Sequence, residues 1–404
     1  MPKRTRILFV NSAAQPGADT AIHAMIMRNL DRVAFEVHAA CAPGPSYQAL
    51  SRIPDLHLRP AHFGLSLSRR STIDRMLASL ALLPAMASLA GLAAYMRRSK
   101  IQIVHSTDRP RDAAACVVLA RLTGAKSVIH VHVKRGDWMS PLVRWALVRA
   151  DAVIGVSEFV ARSLIEGGCS PRRTHAVLNA IDLTRWDQNL DPGPLRPELG
   201  IPSAAPVLVS ISRLFHWKGH ADLLRAIALV HREVPEVRLL IVGEDDPGAG
   251  VHREPFSIEL KRLAAELGIA EQVVFTGFRS DVPRVLAASD IYAMPSFEEP
   301  FGLVFLEAMA MKKPVVALDN GGTPEVVEHE KTGLLAAPGD PKSLAANILT
   351  LIRSPELRAR MGEQGRRRAE ERFTPQRMAL DTARVYSSIT SVSGDEAPHA
   401  RIPA

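Results

Sequence analysis

The chain has 404 residues, with 50 Lys and Arg against 42 Asp and Glu for a formal charge of +8, and it is too long for one ordinary core. The basic residues run through both halves and favour an anionic partner, while aromatics are sparse and no basic-aromatic stretch resembles an RNA-stacking surface, which argues against nucleic acid. Cys41, Cys116 and Cys169 are odd in number, far apart and outside any Cys-x-x-Cys or Cys-His cluster, so reduced cytosolic thiols are expected and a structural zinc site is not.

In chain order, Met1 to Arg6 leads into a short apolar strand and then Asn11 and Ser12, without the hydrophobic region of a signal peptide. Strands are predicted at Arg6 to Asn11, Phe35 to Ala40, Ile101 to His105, Ser127 to His132, Ala152 to Val156 and Ala176 to Leu178, separated by helix-length segments. Met76 to Met96 carries no charge and is long enough to span a membrane. Its Ala, Ser and Gly content, with Pro84 and Gly91, instead favours a helix packed in the N-terminal domain. A membrane-surface helix is the other reading, with Arg69, Arg70, Arg75, Arg97, Arg98 and Lys100 facing lipid phosphates.

A breaker-rich linker, Asp187 to Pro197, precedes a second strand series. Its members are Val207 to Ser212, Arg238 to Val242, Val273 to Thr276, Ile291 to Met294, Val315 to Leu318 and Gly333 to Leu335. This alternation predicts an α/β fold of two Rossmann-like domains facing each other across a cleft, with ligands at the carboxyl ends of the strands. The expected limits are 1–185 for the N-terminal domain, 186–200 for the linker and 201–375 for the C-terminal domain. Residues 376–390 should form a helix that packs back on the N-terminal domain, and 391–404 a disordered tail.

Chemistry concentrates in two loops of the second half. Pro300 and Gly302 break regular structure, and the breaker-free run from Leu303 predicts a helix that opens at Gly302. Its unpaired N–H groups and positive dipole end suit a phosphate. Glu307, about 7 Å further along the axis, suits a ribose diol. Glu299 lies in the loop before the helix and would face the sugar side of a diphosphate. Arg213 and Lys218 follow the strand Val207 to Ile211, and both can reach a diphosphate.

Several loops together resemble glycosyltransferase family 4, retaining enzymes of the GT-B fold. The carrying motifs are Ser212-Arg213-Leu214 with Lys218-Gly219, Val242-Gly243-Glu244, Val274 to Phe278, and Ala288-Ser289-Asp290. Further matches are Glu299-Pro300-Phe301-Gly302 with Glu307 to Ala310, and Gly321 to Val327 with Thr332 to Leu335. The resemblance implies Arg213, Lys218 and the backbone of Phe301, Gly302 and Leu303 for the donor diphosphate. It further implies Glu307 for ribose, Gly277 and Phe278 for the base, and Glu299 beside the reacting sugar carbon. His132 resembles the family's sugar-side histidine, with His130 as its rival, and Gly17 allows a close approach to the donor. Asp108, Arg109, Lys134 and Arg135 are candidates for the acceptor side.

Two places depart from the family pattern: Gln15 to Thr20, where paired glycines are usual, and Asn179-Ala180-Ile181-Asp182 before the linker. No Asp-x-Asp occurs in the chain, so no divalent metal is expected and activity should persist in EDTA. The expected function is transfer of a sugar from a nucleoside diphosphate sugar (UDP or GDP) to an acceptor hydroxyl. The acceptor is a glycan or a lipid-linked molecule in cell-envelope polysaccharide or glycolipid synthesis. The setting is cytoplasmic, on the inner face of a membrane. Competing readings are a non-catalytic nucleotide-sugar or glycan binder, or a GT-B epimerase or phosphorylase.

Overall fold

A computed structural model describes residues 4–64, 82–245 and 254–390, which form two compact units. The first takes in the chain up to Gly155, Ala161–Val177 and the segment from Met378; the second takes in Val156–Val160 and Leu178–Arg377. Arg69, Arg70, Arg75, the start of the Met76 to Met96 run and the 391–404 tail lie outside the described residues.

The first unit is a seven-stranded parallel sheet built from β1 (Thr5–Asn11), β2 (Phe35–Cys41), β3 (His57–Pro60), β4 (Ile103–Thr107), β5 (Lys126–Val131), β6 (Ala152–Gly155) and β7 (Thr174–Ala176), in the order β3-β2-β1-β4-β5-β6-β7. Their burial explains why the strands read as continuous apolar runs: Ile7, Leu8, Val104, Val128 and Ile129 are inaccessible to solvent, as expected of a sheet covered on both faces. β3 is absent from the sequence reading because its residues, His57-Leu58-Arg59-Pro60, are polar and include a proline. It is an edge strand, the one position where such a sequence is tolerated. The last strand lies at Thr174–Ala176, slightly ahead of its expected place.

The second unit has six parallel strands: β8 (Val207–Ile211), β9 (Arg238–Val242), β10 (Val273–Gly277), β11 (Ile291–Ala293), β12 (Val315–Leu318) and β13 (Gly333–Ala336), in the order β10-β9-β8-β11-β12-β13. The helices His220–Glu233 and Pro341–Arg353 pack on it with fully buried Leu223, Leu224, Ile227, Val230 and Ile348. Each fully buried Leu or Ile stabilises the unit by about 1.5–3 kcal/mol.

The expectation of two Rossmann-like α/β units therefore holds. The breaker-rich stretch 187–197 is not free-standing: Leu195 is fully buried, and Arg196 donates to Asp290, Ala288 O and Ser203 O within the second unit. The helix Pro375–Thr390 carries Tyr386, buried in the first unit, where its hydroxyl lies 2.5 Å from His105 Nδ1. The helix Leu82–Arg98 buries Leu92, Ala93 and Met96 and exposes Leu83 and Met86. Among the described residues no helix is long and apolar enough to cross a membrane.

Candidate functional site

In both sheets the strand order reverses beside the first strand of the unit, and loops leaving the carboxyl ends there are the usual ligand position of open α/β sheets. In the second unit those loops follow β8 and β11, and they are tied to each other. The Phe297 N–H donates to Trp217 O at 2.7 Å, and a Cβ on Gly219 would meet Pro295 O at 2.0 Å. Gly219 also has φ +75°, so both backbone shape and close approach require glycine there. Held this way, Lys218 Nζ donates to Glu299 Oε2 at 2.7 Å, with both side chains largely buried. Lys218 also lies 4.1 Å from the centroid of the Trp217 ring, which helps to fix the ammonium.

The structure thus joins two residues that sequence alone assigned to separate ligand parts. Arg213 is exposed in the loop that carries Lys218. On the other side of Glu299, Phe301 is buried edge-on against Phe373 at 5.9 Å, so only its backbone is available to a ligand. Gly302 follows at φ +92° as the N-cap of the helix Leu303–Ala310, with no side chain capping that end. The helix begins where sequence places it.

Glu307 lies half-buried on that helix. Burial pushes its carboxyl up to about 7, against a smaller opposing pull from Arg185. Gly277 ends β10 at φ +70° and its carbonyl accepts the Gly243 N–H at 2.9 Å, leaving Phe278 70% exposed beyond it.

The Glu299 loop is braced from outside. Gly322 N–H donates to Glu299 O at 2.7 Å, and a Cβ on Gly321 would lie 2.7 Å from both the nitrogen and the oxygen of Glu299. Ser157 donates to Pro300 O at 2.6 Å, and the Glu325 carboxylate accepts the Glu158 and Phe159 N–H groups at 2.8 Å each. Glu298 itself adopts φ +52°, a left-handed conformation that costs a non-glycine residue about 1–3 kcal/mol and that this bracing offsets. The Gly321-Gly322 pair is structural in a specific way: it sets the backbone of Glu299.

In the first unit, Gly17 caps the helix Ala18–Asn29 with extended backbone. A Cβ there would meet Asp19 Oδ1 at 2.8 Å and Arg109 Nη2 at 3.2 Å. Asp19 and Arg109 form a two-point ion pair at 2.5 and 3.0 Å. Burial raises the Asp19 carboxyl, but the guanidinium outweighs it and the net displacement is downward. Asp112 is fully buried and accepts from Ser12 N–H and the Thr107 hydroxyl, both at 2.8 Å; burial pushes it up to about 6.

His130 and His132 are two residues apart at the end of β5, so both rings fall on one face of the sheet, 4.5 Å apart, under His23 of the covering helix. His130 has no solvent exposure and His132 is half-buried. Burial depresses both, His132 to about 4 and His130 well below the ordinary value. Asp108 is pushed up to about 7 by burial while accepting the His132 backbone N–H.

A cavity of about 630 Å³ in this unit has a mainly apolar lining that includes Ala13, Ala14, Pro43 and Phe63, together with Arg109 and Arg111. Sequence reasoning missed the pairing of Asp19 with Arg109 and the part played by His23. The contacting residues are 90 positions apart for the first, and a histidine inside an amphipathic helix gives no signal for the second.

Residues 193–368 match the family model for glycosyl transferases group 1, and residues 24–185 match that for glycosyltransferase family 4. N-acetyl-alpha-D-glucosaminyl L-malate synthase of Bacillus anthracis is 30% identical over 251 residues, which is 62% of this chain and 63% of that protein. Alpha-maltose-1-phosphate synthase of Mycolicibacterium smegmatis is 33% identical over 265 residues, 61% of this chain and 66% of that protein. The match thus spans just under two thirds of these curated relatives. The crystal structure of Anabaena HepE in complex with UDP is 26% identical at a TM-score of 0.76, covering 95% of this chain and 100% of that one.

Proposed function

The chain belongs to the group 1, family 4 glycosyltransferases of GT-B fold, and from that premise we propose that it moves a sugar, with retention, from a nucleoside diphosphate sugar to an acceptor hydroxyl. The observation that carries this reading is the Lys218–Glu299 pair at 2.7 Å beside an uncapped, glycine-opened helix N-terminus. A cation, a row of backbone N–H donors and a carboxylate within one braced loop system match the parts of a sugar diphosphate: leaving phosphates, and a sugar carbon that gains positive charge as they depart. A protein that only binds nucleotide has no use for the buried carboxylate next to its phosphate cation.

Arg213, Lys218 and the backbone of Phe301, Gly302 and Leu303 neutralise the diphosphate. Glu307 accepts from the ribose diol, and Gly277 and Phe278 meet the base. HepE binds UDP, which supports a uridine donor. Donor entry separates Lys218 from Glu299: the ammonium turns to phosphate and the carboxylate turns to the sugar. Because Glu307 is committed to ribose, Glu299 lacks the second carboxylate of a double displacement, and the leaving phosphate takes the acceptor proton in a front-side attack. His132 takes the role of sugar-side histidine, and Gly17 allows a close approach. With no Asp-x-Asp, charge neutralisation falls to Arg213, Lys218 and the helix terminus, so transfer proceeds without a divalent metal.

The acceptor belongs to the first unit, where a largely apolar cavity also lined by Arg109 and Arg111 suits an acceptor that combines an apolar part with an anionic group. A lipid-linked acceptor in envelope glycolipid or polysaccharide synthesis, met at the inner membrane surface, has that chemistry. Sedimentation with anionic vesicles at low and high salt tests the surface; no binding at either salt removes it. The principal experiment is a donor panel in EDTA that scores nucleoside diphosphate release with and without acceptors. Acceptor-dependent release is expected, and release only after adding a divalent ion overturns the metal-free reading.

A further inference from the structure

Of the three rings that meet on the buried face of the first unit, His23, His130 and His132, the proposed transfer uses only His132 and gives His23 and His130 no role. Each offers a ring nitrogen, and the three nitrogens lie within 4.8 Å of one another. His23 is 2% exposed and His130 not at all. Neither His23 Nε2, His132 Nε2 nor either nitrogen of His130 has a hydrogen-bond partner in the protein. An unsatisfied buried polar atom costs about 1–3 kcal/mol, so four gathered at one point form an expensive cluster unless something binds them.

We propose that His23, His130 and His132 form a binding site for one borderline divalent ion of the Zn²⁺ type. Three imidazoles are a familiar ligand set for such ions, with metal–nitrogen distances of about 2.0–2.1 Å that put ligand nitrogens roughly 3.3 Å apart, within reach of small ring rotations here. One ligand on β5, a second just beyond its end and a third on the helix Ala18–Asn29 clamp strand and helix together. The surroundings are apolar on one side, where Phe9 packs against both His23 and His105. On the other side, the Asp19 carboxylate acts on His23 and His132 and supplies negative charge, which outweighs the smaller opposing effect of the Arg109 paired to it. The three cysteines play no part, so the absence of cysteine motifs in the sequence does not bear on this site.

A second cluster, Glu36, His38 and His57, has nitrogens and oxygens equally close, but its groups are already engaged. Glu36 is held by Arg4 and Arg6, His38 contacts Tyr95 and Glu36, and the two arginines oppose a cation.

The test uses the full chain, stripped with EDTA, freed of chelator and dialysed against Zn²⁺, with bound metal measured directly. One Zn²⁺ per chain is expected, weakened more than about tenfold in His23→Gln and in His130→Gln and retained in His57→Gln. Co²⁺ on the unmodified protein gives a second reading that needs no variant: a four-coordinate spectrum without thiolate bands is expected. A wild-type chain that binds no Zn²⁺ overturns the site and leaves these nitrogens to water. Loss in His57→Gln with retention in His23→Gln, or a cobalt–thiolate band, overturns it by moving the metal elsewhere.

Discussion

The two units share a parallel sheet, a strand order that reverses beside the first strand, and a carboxylate that ties together the loops at that reversal. In the first unit the tie is Asp112, fully buried, with its two oxygens taking the Ser12 N–H and the Thr107 hydroxyl, and with Asp19 and Arg109 paired nearby. In the second it is Glu299, whose partner is one lysine and whose neighbour is an uncapped helix end. A carboxylate satisfied by neutral donors of its own fold is structural. One satisfied by a cation that can exchange it for another anion is available for chemistry. On the proposed function, the same topology gives a donor site in one unit and leaves the other for acceptor selection.

The variant that tests this contrast most strongly is Glu299→Gln. We expect turnover to fall on the order of 10²–10³-fold with no loss of UDP affinity, which should hold or rise as the Lys218 ammonium is freed, measured by nucleoside diphosphate release and by UDP titration. Equal losses in both would return Glu299 to a binding role.

Next comes Gly321→Ala, where the left-handed backbone costs about 1–3 kcal/mol and the new Cβ sits 2.7 Å from the Glu299 backbone. A lower melting temperature and a turnover loss should appear together. Unchanged melting would show that the loop yields without the brace.

Glu307→Gln sharpens the donor side. Its folded pKa of about 7 lies above the unfolded 4.5, so the folded state binds the extra proton between those values and wild-type stability declines across that window. The variant should therefore be more stable than wild type above pH 7, by roughly 2 kcal/mol after allowance for partial exposure, and equal to it below pH 4.5. At the same time it should bind UDP more weakly; denaturant melts across pH and UDP titration read the two effects.

The smallest effect belongs to the first unit: Arg109→Ala should cost about 1 kcal/mol in melts and leave UDP affinity unchanged, while raising the acceptor KM. A loss of UDP affinity would blur the contrast between the units.

Much of the second unit was legible because its signals are local. Pro300 and Gly302 set a helix start, apolar runs mark β8 to β13, and Glu307 follows from the helix rise. What was not legible depends on residues far apart in sequence. Lys218 and Glu299 are 81 positions apart, and a loop lysine and a loop glutamate carry no sign of each other until Gly219 and Phe297 bring their loops together. The role of Gly321 depends likewise on a backbone twenty-two residues upstream. His23 reads as a polar residue in a helix until β5 is laid beneath it, and β3 reads as a loop because edge strands need not be apolar.

The Lys218–Glu299 contact also bears on how fast a donor arrives. Before a ligand enters, the two charges cancel, and at a distance they act on an approaching diphosphate as a dipole whose attraction fades more steeply than that of a lone ammonium. Added salt should therefore slow donor association only modestly in the wild-type chain and more strongly in Glu299→Gln, where the lysine charge is unmasked. On the proposed function, recognition then acts at contact, where the anion competes with Glu299 for the ammonium.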